Sequence, residues 1–278
     1  MPERGTILIT GCSSGIGHHG AHALARRGWR VFASARRDAD VARLADEGLE
    51  ALPLDLDDPA SIETAVATVM ERCDGRLDAL FNNGAYGQPG AVEDLSREAL
   101  RAQFESNLFG WLDLTNRVIP AMRAQGHGRI VQNSSLLGYV ALKWRGAYNA
   151  SKFALEGLSD TLRLELAGSG IHVVLIEPGP IESRFRANGL AAYRRWIDAG
   201  ASVHRERYAR MEARLQKEGP AAPFTLGPEA VTRKLIHALE SPRPRSRYRV
   251  TFPAHLFAAL RRALPTRLLD RVLHRAGG

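Results

Sequence analysis

Cysteine is scarce, and long hydrophobic runs are missing, in this chain of 278 residues. Its two cysteines, Cys12 and Cys73, stand in no metal-ligand spacing, which argues against a disulfide scaffold and is typical of a reducing cytoplasm. No stretch of about 18 residues is both uncharged and apolar, which excludes a membrane-spanning helix. The N-terminus lacks the basic and apolar segments of a signal peptide. We therefore predict a cytoplasmic protein without a metal site.

The composition is that of a globular protein, with 45% hydrophobic and 24% charged residues. Lysine and arginine number 38 against 30 acidic residues, which gives a net charge of +8. A basic chain can bind nucleic acid, an anionic membrane or a phosphorylated cofactor. Much of the excess lies in residues 241–249 and in the tail beyond, where a solvated surface is the simpler interpretation. Because the chain has no motif that reads nucleic acid, we predict no such partner.

Strand-length apolar segments alternate with helix-length amphipathic segments along the first two thirds of the chain. The predicted strands are Thr6–Thr10, Arg30–Ser34, Glu50–Pro53, Ala79–Asn82, Arg129–Asn133 and His172–Glu177, and the predicted helices cover 15–28, 39–47, 59–73, 96–125 and 146–168. The alternation predicts a Rossmann-like, doubly wound α/β fold, in which helices cover both faces of a parallel sheet. We expect a single domain over 1–278, with a dinucleotide-binding and catalytic core (1–180), a substrate flap (181–228) and a C-terminal helical extension (229–278).

A glycine-rich loop with the spacing Gly-x-x-x-Gly-x-Gly follows the first predicted strand. Glycine permits a tight turn, close approach of the backbone to a pyrophosphate, and close packing of the next helix. The loop residues predicted to bind a cofactor are Gly11, Ser13, Ser14, Gly15, Ile16 and Gly17. Packing alone is the alternative explanation of the glycines.

Two arginines, Arg36 and Arg37, follow the second predicted strand. Dinucleotide-binding folds place an acid there for the ribose 2′-hydroxyl, or an arginine for a 2′-phosphate. Because a guanidinium fits a phosphate that an acid would repel, we predict NADP(H) as the cofactor. Arg36 is the main predicted contact, Arg37 the second, and Ser14 a hydroxyl donor. In the alternatives, both arginines are solvated, or Asp38 reaches the ribose and NAD becomes acceptable.

Tyr148 and Lys152 stand four residues apart in a predicted helix and therefore share one face. A tyrosine with a pKa near 10 is a poor acid or base at neutral pH, and a nearby ammonium lowers that pKa by about one to three units. Ser134 and Ser135 end the preceding predicted strand, where a hydroxyl could hydrogen-bond a substrate oxygen. A buried aromatic ring beside a lysine is also common without any catalytic role.

Together these motifs resemble the short-chain dehydrogenase/reductase family. The matching segments are Thr10–Gly17, Asn82-Asn83-Gly84, Asn107, Ser135, Tyr148-x-x-x-Lys152 and Pro178-Gly179, in family order over about residues 5–185. The resemblance implies that Tyr148 is the acid/base, that Lys152 lowers its pKa and binds the ribose, and that Ser135 donates to the substrate oxygen. It also implies that Asn107 completes a proton relay through water, and a polar residue at a helix kink is compatible with that role.

The resemblance implies further cofactor contacts: Asp55, Leu56, Asn83, Gly84, Ala85, Pro178, Gly179, Ile181 and Ser183, besides Tyr148 and Lys152. A turn or the start of a helix is the alternative role for Asp55. The family's Asn-Asn-Ala-Gly stands here as Asn82-Asn83-Gly84-Ala85, which keeps both positions small and predicts a local difference in the turn.

Apolar residues between Ser135 and Tyr148 predict a lipophilic substrate, with Ser135, Leu137, Leu142 and Trp144 as its contacts. Residues 190–218 mix aromatic side chains with arginines, so they form either a lid over the site or ordinary packed helices. Within the family, the sequence is similar to the branch of 17β-hydroxysteroid and retinol dehydrogenases and bacterial aldehyde reductases. This branch implies hydride exchange between NADP(H) and a lipophilic aldehyde, ketone or alcohol. The alternatives are a 3-oxoacyl-carrier-protein reductase and a non-catalytic NADP(H)-binding regulator.

The tail beyond residue 250 carries apolar residues near helical spacing, bounded by arginines. We expect it either to pack on the body or on a second subunit, or to make peripheral contact with an anionic membrane. The family resemblance implies a homodimer or homotetramer.

Overall fold

The computed structural model describes residues 4–217, 219 and 222–276. Its strands are β1 (Gly5–Ile9), β2 (Trp29–Ala35), β3 (Glu50–Pro53), β4 (Ala79–Asn82), β5 (Gly128–Asn133), β6 (Ile171–Pro178) and β7 (Arg247–Val250). Its helices are α1 (Gly15–Ala25), α2 (Asp38–Asp46), α3 (Pro59–Arg72), α4 (Arg97–Phe104), α5 (Gly110–Gln125), α6 (Gly146–Glu165), α7 (Phe185–Trp196), α8 (Arg205–Gln216), α9 (Glu229–Glu240), α10 (Phe252–Ala263) and α11 (Thr266–Ala276). Residues 1–3 and 277–278 of the predicted domain, and residues 218, 220 and 221 of the predicted flap, lie outside the described residues.

The strands form one parallel sheet in the order β3-β2-β1-β4-β5-β6-β7. The strand order reverses between β1 and β4, where the chain crosses from one half of the sheet to the other. The six strands predicted from the sequence are all present, each with its ends within one residue of the prediction. The predicted doubly wound α/β fold is therefore confirmed.

Both faces of the sheet are buried, which explains why its strands are nearly continuous apolar runs. In β1, Ile7 and Ile9 belong to the apolar cluster that includes Leu24 of α1 and Leu235 of α9. Leu8 points to the opposite face and packs in a cluster with α3 and α5. A polar substitution at any of these β1 positions would leave an unpaired group in a packed layer.

The strand β7 was missed by the sequence analysis, because it lies in the basic stretch that was interpreted as solvated surface. Tyr248 and Val250 of this strand are buried, while Arg247 and Arg249 approach the carboxylate of Glu177 at 3.5 and 3.2 Å. A buried acid on β6 thus accounts for a basic strand beside it. Since β7 joins the sheet and α9 packs on α1, residues 229–250 complete the sheet layer, and the segment is not purely helical.

The predicted helix over 96–125 is interrupted. It consists of α4, a π-helical segment over Glu105–Phe109, and α5. The wider π turn carries Asn107, whose side chain contacts the backbone of Tyr86. Gly110 begins α5 against the backbone of Leu56, where an added Cβ would lie 2.1 Å from a carbonyl oxygen. The break therefore fits the helix against the loops that follow β3 and β4.

The C-terminal helices α10 and α11 pack on the body of the protein. Phe257 and Leu273 are buried in an apolar cluster with Leu137, Val140 and Tyr148. Within the described part of the chain, no helix is both long and apolar enough to cross a membrane. Membrane contact by the outer face of this tail stays a prediction.

Candidate active site

A cavity of about 1600 Å³ lies at the carboxyl ends of the strands. The predicted site residues that line it are Gly11, Ser13, Ser14, Ile16, Arg36, Arg37, Asp55, Leu56, Asn83, Gly84, Ala85, Ser135, Leu137, Leu142, Trp144, Tyr148, Lys152, Pro178, Gly179, Ile181 and Ser183. Gly15, Gly17 and Asn107 do not line it. The fold thus gathers residues from six strand ends into one space, with the glycine-rich loop and Tyr148 on its wall.

The glycine-rich loop is a cradle too tight for side chains. Gly11 has a φ of 71°, and an added Cβ there would lie 2.5 Å from Cα of Gly84. An added Cβ at Gly17 would lie 2.4 Å from the carbonyl oxygen of Gly11. Ser14 is the N-cap residue of α1 and makes no side-chain cap, so the first N–H groups of the helix remain to bind an anion. Gly17 therefore shapes the cradle without facing the cavity.

The structure predicts that Gly17→Ala destabilises the protein by about 1–3 kcal/mol, because its methyl group would force Gly11 away from Asn83. Gly20→Ala is the matched control in the same helix, since its nearest neighbour is Leu235 Cδ2 at 3.4 Å. This control should be neutral, or stabilising by up to about 1 kcal/mol through helix propensity. Urea unfolding of the two variants measures the difference in stability. Equal unfolding midpoints would show that the loop accommodates a Cβ at position 17 without a steric clash.

The two arginines after β2 are not equivalent. The Arg37 guanidinium binds Asp40 at 2.7 Å and holds the pKa of that carboxyl below its usual range. Arg36 has no hydrogen bond or ion pair with any described residue, and its charge acts on Asp57 and Tyr86 across the cavity. Arg36 is thus available for a ligand, as predicted for the main contact, whereas Arg37 already has a partner.

Arg43 is a residue that the sequence analysis missed. Its guanidinium donates to the carbonyl oxygen of Ser13 at 2.8 Å and to Glu47 at 2.6 Å. It therefore braces the glycine-rich loop from α2, and only the packing of α2 beside that loop reveals this role. Glu47 also lies beside His18 and His22, with ligand-type atoms within 4.8 Å of one another, so the expectation of no metal stays a prediction.

The turn after β4 closes against the glycine-rich loop. Thr10 Oγ1 accepts hydrogen bonds from the backbone N–H groups of Asn83 and Gly84 at 2.8 and 2.9 Å. Trp111 Nε1 donates to the carbonyl oxygen of Gly84 at 2.8 Å. An added Cβ at Gly84 would meet Leu56 Cδ1 at 3.1 Å, so glycine at this position relieves a close approach. The small pair Gly84 and Ala85 thus fits here in the order opposite to the family pattern.

Asn107 is fully buried and bound to protein backbone. Its Nδ2 donates to the carbonyl oxygen of Tyr86 at 2.8 Å, and its Oδ1 accepts from the Tyr86 N–H at 3.2 Å. Because both ends of the amide are occupied and the residue does not line the cavity, the structure places it as the support of the π turn. The proton relay through water that the resemblance implies for Asn107 stays a prediction.

Tyr148 lies at the inner end of the cavity, with its ring edge-on to Phe185 at 5.2 Å between centroids. Burial raises the pKa of Tyr148 to about 12, against opposing effects of a hydrogen bond with Ser135 and of the Arg145 charge. Ser135 Oγ also accepts from the Leu137 N–H at 3.1 Å, which fixes the serine at the cavity wall. The structure therefore places Ser135, the serine that the resemblance implies, within reach of Tyr148.

Lys152 is buried beside the same site, at 1% exposure. Its Nζ donates to the carbonyl oxygen of Asn133 at 2.9 Å and lies 4.1 Å from the ring centroid of Trp111. Burial lowers the pKa of Lys152 to about 7, with the charge of Glu156 as the opposing effect. A lysine with that pKa can gain or lose a proton near neutral pH, and its expected effect on the pKa of Tyr148 stays a prediction.

The segment after β6 forms the wall opposite the glycine-rich loop. The N–H of Gly179 donates to the carbonyl oxygen of Val250 at 2.9 Å, so β7 holds this segment in place. Ile181 pairs with Leu226 in an isolated bridge, and Ser183 lies against Gly15, where an added Cβ would be 3.0 Å away. The cofactor contacts that the resemblance implies in this segment are therefore brought to the start of α1.

The outer part of the cavity is apolar and aromatic. Leu137, Leu142 and Trp144 line it from the segment after β5, and Trp196, Met211 and Leu215 line it from α7 and α8. Tyr193 and Tyr208 from these two helices are instead buried in a cluster with Ala91 and Ile197. One face of residues 190–218 is therefore packed, as the packed-helix alternative predicts. The other face of these residues lines the cavity.

Comparison with known proteins agrees with this geometry. A sequence model of the short chain dehydrogenase family matches residues 5–193. The chain belongs to this family of oxidoreductases.

Particular relatives refine the comparison. The chain is 42% identical to the uncharacterized oxidoreductase YbbO of Escherichia coli strain K12, over 96% of this chain and 93% of that protein. It is 33% identical to 17-beta-hydroxysteroid dehydrogenase type 1 of Homo sapiens, over 89% of this chain and 78% of that protein. The solved structure of an actinorhodin polyketide ketoreductase variant with NADPH covers 90% of this chain and 97% of its own, with 29% identity and a TM-score of 0.73.

Proposed function

We propose that this protein is an NADP(H)-dependent oxidoreductase that interconverts a lipophilic aldehyde or ketone and the corresponding alcohol. The observation that carries the proposal is that one cavity joins the glycine cradle to Ser135, Tyr148 and Lys152 and has apolar and aromatic side chains at its mouth. The relatives support it, because one is named a hydroxysteroid dehydrogenase and a structural neighbour is a ketoreductase with NADPH.

The residues of the cavity fit a dinucleotide. The cradle of Gly11 and Gly17 has no space for a Cβ, and the uncapped start of α1 offers N–H groups to a pyrophosphate. Arg36 and Ser14 would hold the 2′-phosphate end, and Lys152 the nicotinamide ribose. When bound, NADPH supplies a hydride to the substrate carbon, and NADP⁺ accepts one in the reverse direction.

The chain's own contribution is to move one proton and to orient one oxygen. Ser135 hydrogen-bonds the substrate oxygen and holds it beside the Tyr148 hydroxyl. Tyr148 donates its proton to that oxygen during reduction and recovers it during oxidation. Protonated Lys152, whose Nζ lies 5.8 Å from the Tyr148 ring centroid, offsets the burial that raises the tyrosine pKa. The apolar wall excludes water from the reacting atoms.

The cofactor preference rests on Arg36 and gives a testable prediction. Arg36→Gln should weaken NADPH binding by about 10- to 100-fold and NADH binding by less than about 3-fold, because only NADPH carries the 2′-phosphate. Arg37→Gln is the matched control and should have the smaller effect, since its guanidinium is already bound to Asp40. Fluorescence titration of both variants with both cofactors measures this. Wild-type binding of NADH as tight as that of NADPH would overturn the preference.

The substrate class is tested by NADPH oxidation with a panel of long-chain aldehydes, ketosteroids, retinal and a 3-oxoacyl thioester. Turnover of one lipophilic class supports the proposal. Turnover of the thioester alone would favour the second candidate, a 3-oxoacyl-carrier-protein reductase, which the similarity to a polyketide ketoreductase also keeps open. The cytoplasmic location and the homodimeric or homotetrameric state stay predictions.

A further inference from the structure

Arg145 is a cation on the wall of the active-site cavity that the proposed reaction does not use. It is the N-cap residue of α6, three positions before Tyr148, so the two side chains lie on the same side of the helix. The guanidinium has no hydrogen bond or ion pair with any described residue. Its charge nevertheless reaches the reaction centre, because it opposes the rise in the pKa of Tyr148.

The surroundings of Arg145 do not compensate its charge. Burial and the nearby positive charge of Arg214 lower the pKa of Arg145 to about 10. Burial of a cation is costly unless an opposite charge or hydrogen-bond acceptors meet it, and protein interiors therefore pair such groups. No acidic residue of the described chain contributes to the electrostatic environment that shifts the Arg145 pKa. Arg145 is half-buried and faces the cavity, so a ligand that enters the cavity can supply the anion that the described residues do not.

The charge of the cavity wall divides into two regions. The described acidic residues on the wall are Asp40, Asp55, Asp57 and Glu182, and the first three lie at the end occupied by Arg36 and Arg37. Around Tyr148 and the mouth, the charged lining residues other than Glu182 are basic: Lys143, Arg145, Lys152, Arg184, Arg186, Arg195, Arg207, Arg210 and Arg214. The substrate region therefore combines apolar side chains with a positive electrostatic potential.

The start of α6 adds to this field. The helix has 20 residues, no acidic residue in its first turn and no side-chain cap at its N-terminus. The positive end of the helix dipole therefore lies at Arg145 without an internal anion to offset it. A lone helix end would be weak support, but here it coincides with the unpaired guanidinium.

We propose that the substrate is an amphiphile whose anionic group, a carboxylate or a phosphate, binds Arg145 while its carbonyl or carbinol carbon lies beside Tyr148. This inference rests on the proposed function and narrows it. The apolar residues Leu137, Leu142 and Trp144 contact the hydrocarbon part, and the guanidinium provides the forked donors that both anions accept. A neutral aldehyde fills the apolar part of the same cavity and leaves Arg145 without a partner.

Calorimetric titration of the full chain, saturated with NADPH so that no probe is turned over, tests the pairing with decanoate, decyl phosphate and decan-1-ol as probes. Arg145→Gln should weaken binding of the two anions by about 10- to 100-fold and change binding of decan-1-ol by less than about 3-fold. Arg145→Lys keeps the charge and should recover part of the loss. Arg210→Gln, at an exposed position on the cavity wall, should weaken the anions by less than about 3-fold. The tighter of the two anions in the wild type identifies the headgroup.

Three outcomes would overturn the inference: no binding of either anion by the wild type, equal weakening of all three probes by Arg145→Gln, or an equal effect of Arg210→Gln. Retained binding of decan-1-ol shows that a variant is folded. Reduction of decanal with NADPH tests the proposed function separately from the anion-binding role of Arg145. If decanal is reduced but Arg145→Gln does not weaken anion binding, the inference fails and the proposed function stands. If no carbonyl is reduced, the proposed function fails independently of the anion titration.

Discussion

Tyr148→Phe should reduce kcat for reduction of a lipophilic aldehyde by about 10²- to 10⁴-fold, the usual contribution of a general acid. The phenyl ring keeps its edge-on contact with Phe185 and its place in the apolar cluster with Leu136 and Leu137, so the fold should survive. NADPH affinity should change by less than about 3-fold, because the substitution removes only the hydroxyl. Steady-state kinetics and an NADPH titration on the same preparation check both parts.

Tyr139→Phe is the matched control for this experiment. Tyr139 belongs to the same apolar cluster, and its hydroxyl donates to the carbonyl oxygen of Ala254 at 2.6 Å, away from the reacting atoms. Its loss should cost about 1 kcal/mol of stability and leave kcat within about 3-fold of wild type. A kcat for Tyr148→Phe within 10-fold of wild type would remove Tyr148 from the role of acid.

Lys152→Met should lower kcat by roughly 10- to 1,000-fold and yet raise the stability of the protein near pH 7. The loss of activity corresponds to the one to three pKa units by which an adjacent ammonium favours the phenolate. The gain in stability follows from burial, since the lysine is 1% exposed and its pKa falls to about 7. Methionine fills a similar volume in the pocket without a charge to desolvate.

The gain in stability from Lys152→Met should depend on pH, because the pKa of Lys152 differs between the folded and the unfolded chain. The unfolded chain holds the Lys152 proton up to a pH near 10.4, whereas the folded chain releases it around pH 7. Between these values the unfolded state binds more protons, so wild-type stability rises with pH by up to about 1.4 kcal/mol per unit from this group. The advantage of Lys152→Met should be largest at pH 7 and shrink toward pH 10.

Urea unfolding of wild type and Lys152→Met at pH 7, 8 and 9 measures this change, with Lys234→Met as the control at an exposed lysine. The control should show a stability difference that does not change with pH. A pH-independent difference for Lys152→Met as well would mean that the buried amine keeps its ordinary pKa.

Much of the fold and the site follows from local sequence patterns. The strands are apolar runs because both faces of the sheet are covered, so β1 and β4 could be placed to within a residue. The backbone at Gly11 and Gly17 lies so close to neighbouring atoms that a Cβ has no space there. The spacing of these glycines therefore predicts a tight loop. Tyr148 and Lys152 share a helix face by periodicity alone.

Other features depend on partners far away in the chain and could not be predicted. The strand β7 is basic because its arginines meet Glu177 on β6, and a charge run does not reveal that neighbour. Arg43 supports Ser13 only because α2 packs beside the glycine-rich loop. The low pKa of Lys152 depends on its burial beside Trp111, a residue 41 positions earlier in the chain, and the helical spacing of Lys152 does not reveal that neighbour.

The central claim is that this cavity transfers hydride between NADP(H) and a carbonyl carbon with Tyr148 as the proton donor. The most direct test is a single turnover with NADPH deuterated at C4 of the nicotinamide and the best aldehyde or ketone of the panel, followed by mass spectrometry of the alcohol. The account predicts deuterium at the carbinol carbon with wild type, and formation at least about 100-fold slower with Tyr148→Phe. Tight NADPH binding with no labelled alcohol from any carbonyl would contradict it and indicate a non-catalytic NADP(H)-binding regulator.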